Sequence, residues 1–167
     1  AFGLPAIWIS QSVRERAEMA GYTVVDPSTV IATHLTEVIR KNAHDILGRQ
    51  ELQSLLESVK ASYPLIVDEV IPKIVTHSLL LKVLQNLLRE GVSIWNMVTI
   101  LESLADCDGI READSLTEIV RQGLSRHICK SLVDQAGMLN VISLDPRLEQ
   151  LLTQSLQKVE GSVQLAL

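Results

Sequence analysis

Aromatic residues are scarce in this chain of 167 residues: one Phe, two Trp and two Tyr, 3% in all. A core must therefore come from Leu, Ile and Val. Cysteine is scarcer still, at two, which excludes a disulfide-dense secreted scaffold and predicts a reduced, cytoplasmic setting. Long apolar runs are missing as well. The longest stretch free of Asp, Glu, Lys and Arg is residues 1–13, short of the roughly 20 apolar residues a membrane-spanning helix needs. That stretch also lacks the basic, apolar, small-residue succession of a signal peptide. Neither sign of charge is concentrated. Fifteen basic and 20 acidic residues give a net charge of −5 and a pI near 5.3, without the basic excess that a nucleic-acid surface requires.

What is present is an ordinary globular balance, 47% hydrophobic and 21% charged, enough apolar material for one domain or two small ones. Charge stays even along the chain: 4 basic and 5 acidic residues in 1–47, 9 and 12 in 48–136, 2 and 3 in 137–167. Low-complexity runs and internal repeats are absent.

Residues 1–47 read as α/β. Residues 4–9 and 22–25 are short, apolar and rich in strand formers. Between them, Ser12 to Glu15 has the spacing of a capping box and Gly21 stands ready to end a short helix. Asp26-Pro27 signals a second helix start, with the Asp oxygen accepting orphan amide protons. Ile31, Leu35, Val38, Ile39, Asn42 and Ile46 keep helical spacing, so this helix is expected to run to Leu47 and end at Gly48.

Residues 48–136 read as a compact bundle of five short helices. One spans 49–61, with Leu52, Leu55, Leu56 and Val59 on a stripe. Pro64 opens another that Pro72 closes. Thr76 caps a helix through Glu90, with Leu84 in the core, and Ser93 caps one through Ala105. Cys107-Asp108-Gly109 is a turn. A Ser115 to Glu118 capping box opens a helix reaching Ala136. In 137–167, Met138 to Leu144 reads as a strand and Asp145-Pro146 starts a helix to about Lys158. Gly161-Ser162 breaks it, and the tail 163–167 has no visible partner. Strands without neighbours cannot pair their backbone groups, which predicts a piece of a longer protein. The fold class expected is α+β, mainly helical.

No constellation of catalytic or metal-ligating type emerges. His34, His44, His77 and His127 form no HExxH or Cys/His cluster. His34 shares a helix face with Glu37 as a surface contact. Cys129, beside Ile128, reads as a small core residue, and Cys107 as an ordinary turn thiol lacking a base. Asp106, Asp108, Glu112 and Asp114 miss the spacing of a calcium loop and read as a solvated linker. Asp68 and Glu69 adjoin in one helix and point apart. Glycine-rich phosphate loops are absent. No catalytic residue, cofactor or metal is expected. Thr76–Glu90 and Ser93–Ala105 together could imitate a helix-turn-helix, but the second offers only Asn96 toward a groove and no basic residue. The rival reading on this basis is a soluble, winged-helix-like regulatory or interaction module.

Three runs carry a resemblance. FGLPAIWIS, GYTVVDPSTVIATHLTEVIRKNAHDILGRQE and LQNLLREGVSIWNMVTILESLAD resemble the large export-gate family of type III secretion systems (FHIPEP; FlhA/InvA/LcrD-like). The ATHL and LGRQE runs bring the chain closest to the flagellar branch. The likeness covers nearly the whole chain and weakens across 107–113 and after Lys158. It implies a non-enzymatic docking and scaffold domain on the cytoplasmic face of the bacterial inner membrane, reaching the membrane only through an amino-terminal half outside this chain. It implies three pieces: 1–47 as the later part of a first, α/β subdomain, 48–136 as a helical third, and 137–167 as the start of a fourth. The partners implied are export chaperone–substrate complexes, accessory proteins of the export ATPase, and further copies in a ring. VVDPSTVIATHL matches the first-subdomain wall of a chaperone groove, which carries Val25, Val30 and Thr33 over as docking residues. Val30 and Thr33 stand at i, i+3, on one helix face.

Overall fold

A computed structural model describes Gly3, residues 5–159 and residues 162–165, with side chains described as far as Ser155. Helices dominate, as expected from the sequence. A single 3-10 turn, Gln11–Val13, leads into α1 (Arg14–Met19), followed by α2 (Pro27–Lys41), α3 (Ala43–Ile46), α4 (Arg49–Ser62) and α5 (Pro64–Val70). Then come α6 (His77–Arg89), α7 (Met97–Ala105), α8 (Ala113–Gly123), α9 (Ser125–Leu132) and α10 (Pro146–Ser155), and a hairpin of β1 (Leu156–Val159) with β2 (Ser162–Leu165). The chain divides into two units, Ala1–Ile128 and Cys129–Leu167.

The first unit is organised around α6. Leu80, Val83, Leu84 and Leu87 recur at i, i+3, i+4 and i+7 and are fully buried. This is the stripe of a helix buried along one face. α6 packs on α8, α3 and α4, while α7 joins α5 to α8. The surrounding core is Leu52 and Leu56 of α4, Val67 and Val70 of α5, Ile100, Leu101 and Leu104 of α7, and Leu116 and Val120 of α8. The aliphatic core expected from the lack of aromatics is present.

Local signals explain both ends of α6. Thr76 Oγ1 accepts from Leu79 N at 3.2 Å, satisfying one amide that the helix cannot reach. At the other end Val92 N donates to Leu87 O at 2.8 Å and Gly91 N to Leu88 O at 3.0 Å. That pair of bonds requires a left-handed residue, and Gly91 has φ 76°. α1 closes on Gly21 through the same two bonds, from Tyr22 N to Ala17 O and Gly21 N to Glu18 O.

Several boundaries differ from expectation. Residues 5–9, 22–25 and 138–144 form no strand: an extended segment becomes a strand only by pairing its backbone, and no such pairing is present among the described residues. Leu4 falls outside the described residues. Ser12 does not cap α1, because its hydroxyl engages Ser10 Oγ at 2.9 Å. The helix expected over 27–47 is broken at Asn42, whose Nδ2 and backbone N both donate to Val38 O, at 2.7 and 3.1 Å. Gly48 begins α4 instead of ending a helix, and its N–H donates to Glu51 Oε2 at 3.0 Å. α7 starts at Met97 because Asn96 Oδ1 takes the Thr99 amide at 3.3 Å, while Ser93 Oγ accepts from Trp95 N instead. α8 begins two residues before Ser115, whose hydroxyl donates to Glu112 Oε2 at 2.8 Å. It stops at Gly123, and a separate α9 carries the chain onward.

In the second unit, Asp145 Oδ1 accepts from Arg147 N at 2.9 Å, so the expected cap of α10 forms. The helix ends at Ser155 and does not reach Lys158. Residues 156–159 pair antiparallel with 162–165, Leu156 opposite Leu165 and Val159 opposite Ser162. The tail thus has the partner that sequence reading did not find, because the pairing satisfies backbone groups on both segments. Gly161, where a break is expected, and residues 166–167 fall outside the described residues.

Two substitutions probe this packing. Leu84→Ala is expected to cost about 2–5 kcal/mol, read as a shift in the denaturant midpoint; a loss under about 0.5 kcal/mol is what an exposed site would give. The second concerns α7 against α8. A Cβ added to Gly123 would stand 2.1 Å from Ser103 Oγ and 3.2 Å from Ser103 Cβ. The Ser103 hydroxyl donates to Thr99 O at 2.7 Å and cannot turn away without losing that bond. We predict that Gly123→Ala destabilises by about 1–3 kcal/mol, and that adding Ser103→Ala recovers part of the loss; a stabilised single variant would show that the helices part freely.

Candidate docking surface

The three candidate docking residues lie at the start of α2. Pro27 is the first residue of the helix and Asp26 its N-cap. The Asp26 carboxylate accepts from hydroxyls, Ser28 Oγ at 2.6 Å and Thr29 Oγ1 at 3.0 Å. The amide protons that sequence reading assigned to it are not its partners. The Ser28 bond, then the Thr29 bond, hold its pKa below the ordinary aspartate value, because a hydrogen bond to the charged form favours that form.

α2 buries none of its residues completely. Val25, one position ahead of the cap, is 55% exposed. Val30 and Thr33 are half-buried, as is Glu37 further along the same row. A second row is apolar and open: Ile31, Leu35 and Val38, at i, i+4 and i+7, are 66%, 55% and 41% exposed. At 100° per residue the two rows lie about a third of a turn apart. The structure thus sets Val30 and Thr33 on one face of α2 and Val25 just before its cap, beside a larger apolar row. Helical spacing identified that row, but no sequence signal shows whether a partner covers it. Tyr22, 72% exposed, and Trp8, 79% exposed, add aromatic surface that sequence reading did not single out.

A cleft of about 220 Å³ between α6 and α8 is lined by Asn86, Arg89, Glu90, Asp114, Thr117 and Arg121. Most of its polar groups are spent nearby: Asn86 Nδ2 donates to Asp114 Oδ1 at 3.0 Å, and Arg121 pairs with Glu90 at 3.2 Å and Glu118 at 2.7 Å, while Arg121 Nε is buried with no hydrogen-bond partner among the described residues. Cys107 is buried and its thiol donates to Ser103 O at 3.2 Å. Burial, then the Asp106 charge, raises its pKa, the opposite of what a thiolate nucleophile needs. Cys129 is exposed, which corrects its expected place in the core. In α9 the half-buried position is Ile128, and the next residue points about 100° away. Among the described residues, no group of three His, Cys, Asp or Glu side chains could hold a metal.

The FHIPEP family model matches residues 1–167. The chain belongs to the FHIPEP family. It is 43% identical over 168 residues to the flagellar biosynthesis protein FlhA of Bacillus subtilis, a match covering 100% of this chain and 25% of that protein. It is 47% identical over 167 residues to FlhA of Treponema pallidum, covering 98% and 24%. The chain thus spans about a quarter of the length of the curated relatives it matches. Among solved structures it resembles the Chlamydia pneumoniae CdsV protein, with TM-score 0.80, 31% identity, and coverage of 100% of this chain and 49% of that one. CdsV in complex with CdsO gives TM-score 0.79 at 29% identity, covering 96% and 47%. Nonameric SctV-C of EPEC gives 0.72 at 26% identity, covering 93% and 48%. Among the described residues, no helix is long and apolar enough to cross a membrane.

Asp26 offers a direct check on the start of α2. A carboxyl whose pKa is lowered on folding adds stability above its unfolded pKa and loses it as pH falls through the folded value. We predict by carboxyl-resolved NMR titration that Asp26 titrates below the ordinary aspartate range, and that Ser28→Ala with Thr29→Ala returns it there. An unchanged midpoint in the double variant would remove the hydroxyl bonds as the cause.

Proposed function

We propose that this chain is part of the cytoplasmic domain of a flagellar-type export gate, where it acts as a non-enzymatic docking and scaffold module. It receives chaperone–substrate complexes and supports export and the switching between substrate classes. The observation that carries this reading is the open state of α2 in a chain of the FHIPEP family. A fifteen-residue helix with no fully buried residue has its side chains available for another surface. Val25, Val30 and Thr33 form the docking row, two apolar groups with one hydroxyl. That composition suits recognition of a partner's apolar anchors, with a polar contact setting register.

The division proposed is 1–47 as part of an α/β subdomain, 48–136 as the helical subdomain and 137–167 as the start of a further α/β subdomain. In this reading the Ile31, Leu35 and Val38 row packs on the remainder of the first subdomain, and segments 5–9 and 22–25 find strand partners there. The docking row, with Val30 and Thr33 half-buried and Val25 exposed, lies on a different face of the helix and keeps part of its surface for a partner. Accessory proteins of the export ATPase and further copies in a ring are proposed partners, supported by the CdsO complex and the nonameric assembly of the two structural neighbours. The site of action is the cytoplasmic face of the inner membrane.

The test is titration of a chaperone–substrate complex against the complete cytoplasmic domain with Thr33→Met. We predict weaker binding at an unchanged melting temperature. Equal affinity for wild type and variant, both folded, would falsify the docking role of Thr33.

A further inference from the structure

We infer that Gln85 is the positioning residue for the docking helix: its side-chain amide pins the α2–α3 arm to the helical bundle through the carbonyl of Leu47. α2 packs chiefly on α3, and α3 packs on α6. The arm therefore reaches the bundle through α3 and the residue that follows it. Leu47 is buried, with 9% of its surface left, and its carbonyl accepts from Gln85 Nε2 at 2.9 Å.

The place of Gln85 on α6 makes this bond informative. Leu81, Gln85 and Leu88 recur at i, i+4 and i+7, all half-buried, and the two leucines pack against the core. A polar amide within such a row is costly unless a partner satisfies it. The partner it finds belongs to the arm. Two further features make this the point where the arm can turn. Leu47 (φ −72°, ψ 95°) and Gly48 (φ −101°, ψ −169°) leave helical geometry between α3 and α4, so the joint lies at the pinned residue itself. His44 of α3 has a buried Nδ1 with no hydrogen-bond partner among the described residues, so the α3 contact carries an unmet polar group and holds less firmly than an apolar one. With the latch closed, Val30 and Thr33 are presented at a set angle to the bundle. With it open, the α2–α3 arm can swing at Leu47 and Gly48. The link to docking rests on the function proposed above, whereas the latch itself is a statement about geometry and is tested without any partner.

Spin labels at His34→Cys in α2 and Glu102→Cys in α7, in a Cys129→Ser background, report the angle of the arm as a distance distribution. Both label sites are exposed. Gln85→Glu keeps the size and removes the donor; Gln85→Met keeps the length without polarity. We expect either to raise the population of detached distances about fivefold, the factor that loss of one ordinary hydrogen bond brings to an equilibrium. Gln85→Lys, which restores a donor, is expected to return the narrow distribution. Amide exchange at Leu80, Val83 and Leu84 is expected to stay as slow as in the parent. Distributions unchanged in the Glu and Met variants would overturn the inference. So would broadening that comes with faster exchange at those three amides, since Gln85 would then hold the bundle and not the arm. Loss of chaperone binding plays no part in this result, so failure of the latch and failure of the docking reading are distinguishable.

Discussion

The structure of the first unit depends on the burial of one face of α6. Four aliphatic side chains in two turns, Leu80, Val83, Leu84 and Leu87, lose all contact with water, and burial of this kind stabilises by about 1.5–3 kcal/mol per side chain. α3, α4 and α8 are neighbours because each packs on this helix. α7 and α5 form a further layer, α7 touching both α8 and α5. A core with so few aromatics must gain its stability from many close-packed aliphatics. At the rim of that core α7 and α8 approach closely at Gly123, where a Cβ would stand 2.1 Å from Ser103 Oγ.

Around this core, polar groups fix orientation more than they add stability. Thr117 is buried between α8 and α6, donating to Ala113 O at 2.7 Å and accepting from Asn86 at 3.3 Å. Asn86 also reaches Asp114, and Arg121 ties α8 to Glu90 beyond the end of α6. Exposed ion pairs contribute little individually, but a network with shared members sets the rotation of one helix on another. Arg111 does the same for the turn after α7, donating to Ile74 O at 2.7 Å.

Stability and candidate function are unequally distributed. Buried side chains crowd into residues 47–124, while α2 contributes none. Elements with few buried contacts open and reorient at small cost in free energy, and binding residues often sit on such elements held by a rigid scaffold. α2 fits that description: it is an ordered helix set on a firm bundle through α3 and one carbonyl. The same arrangement leaves its apolar row largely exposed among the described residues.

What the sequence by itself determined is local. The α6 stripe, Thr76 and Gly91 at its ends, the Asp26-Pro27 and Asp145-Pro146 starts and the aliphatic core could all be read from residue types and spacing, because each arises within a few residues. The runs shared with the export-gate family are likewise legible in the sequence alone. Strands at 5–9, 22–25 and 138–144 could not be settled that way, since pairing depends on a second segment. The hairpin of 156–159 with 162–165 was missed for the same reason. Asn42, Asn96 and Cys129 show the finer limit: a side chain's choice between neighbouring backbone groups, or between core and solvent, follows from small differences in angle. Tertiary structure alone decided that Val30 and Thr33 stand apart from the apolar row of α2. It also decided that Gln85, 38 residues beyond Leu47, bonds the carbonyl at the foot of the α2–α3 arm, because a contact across such a separation exists only once the intervening helices have packed.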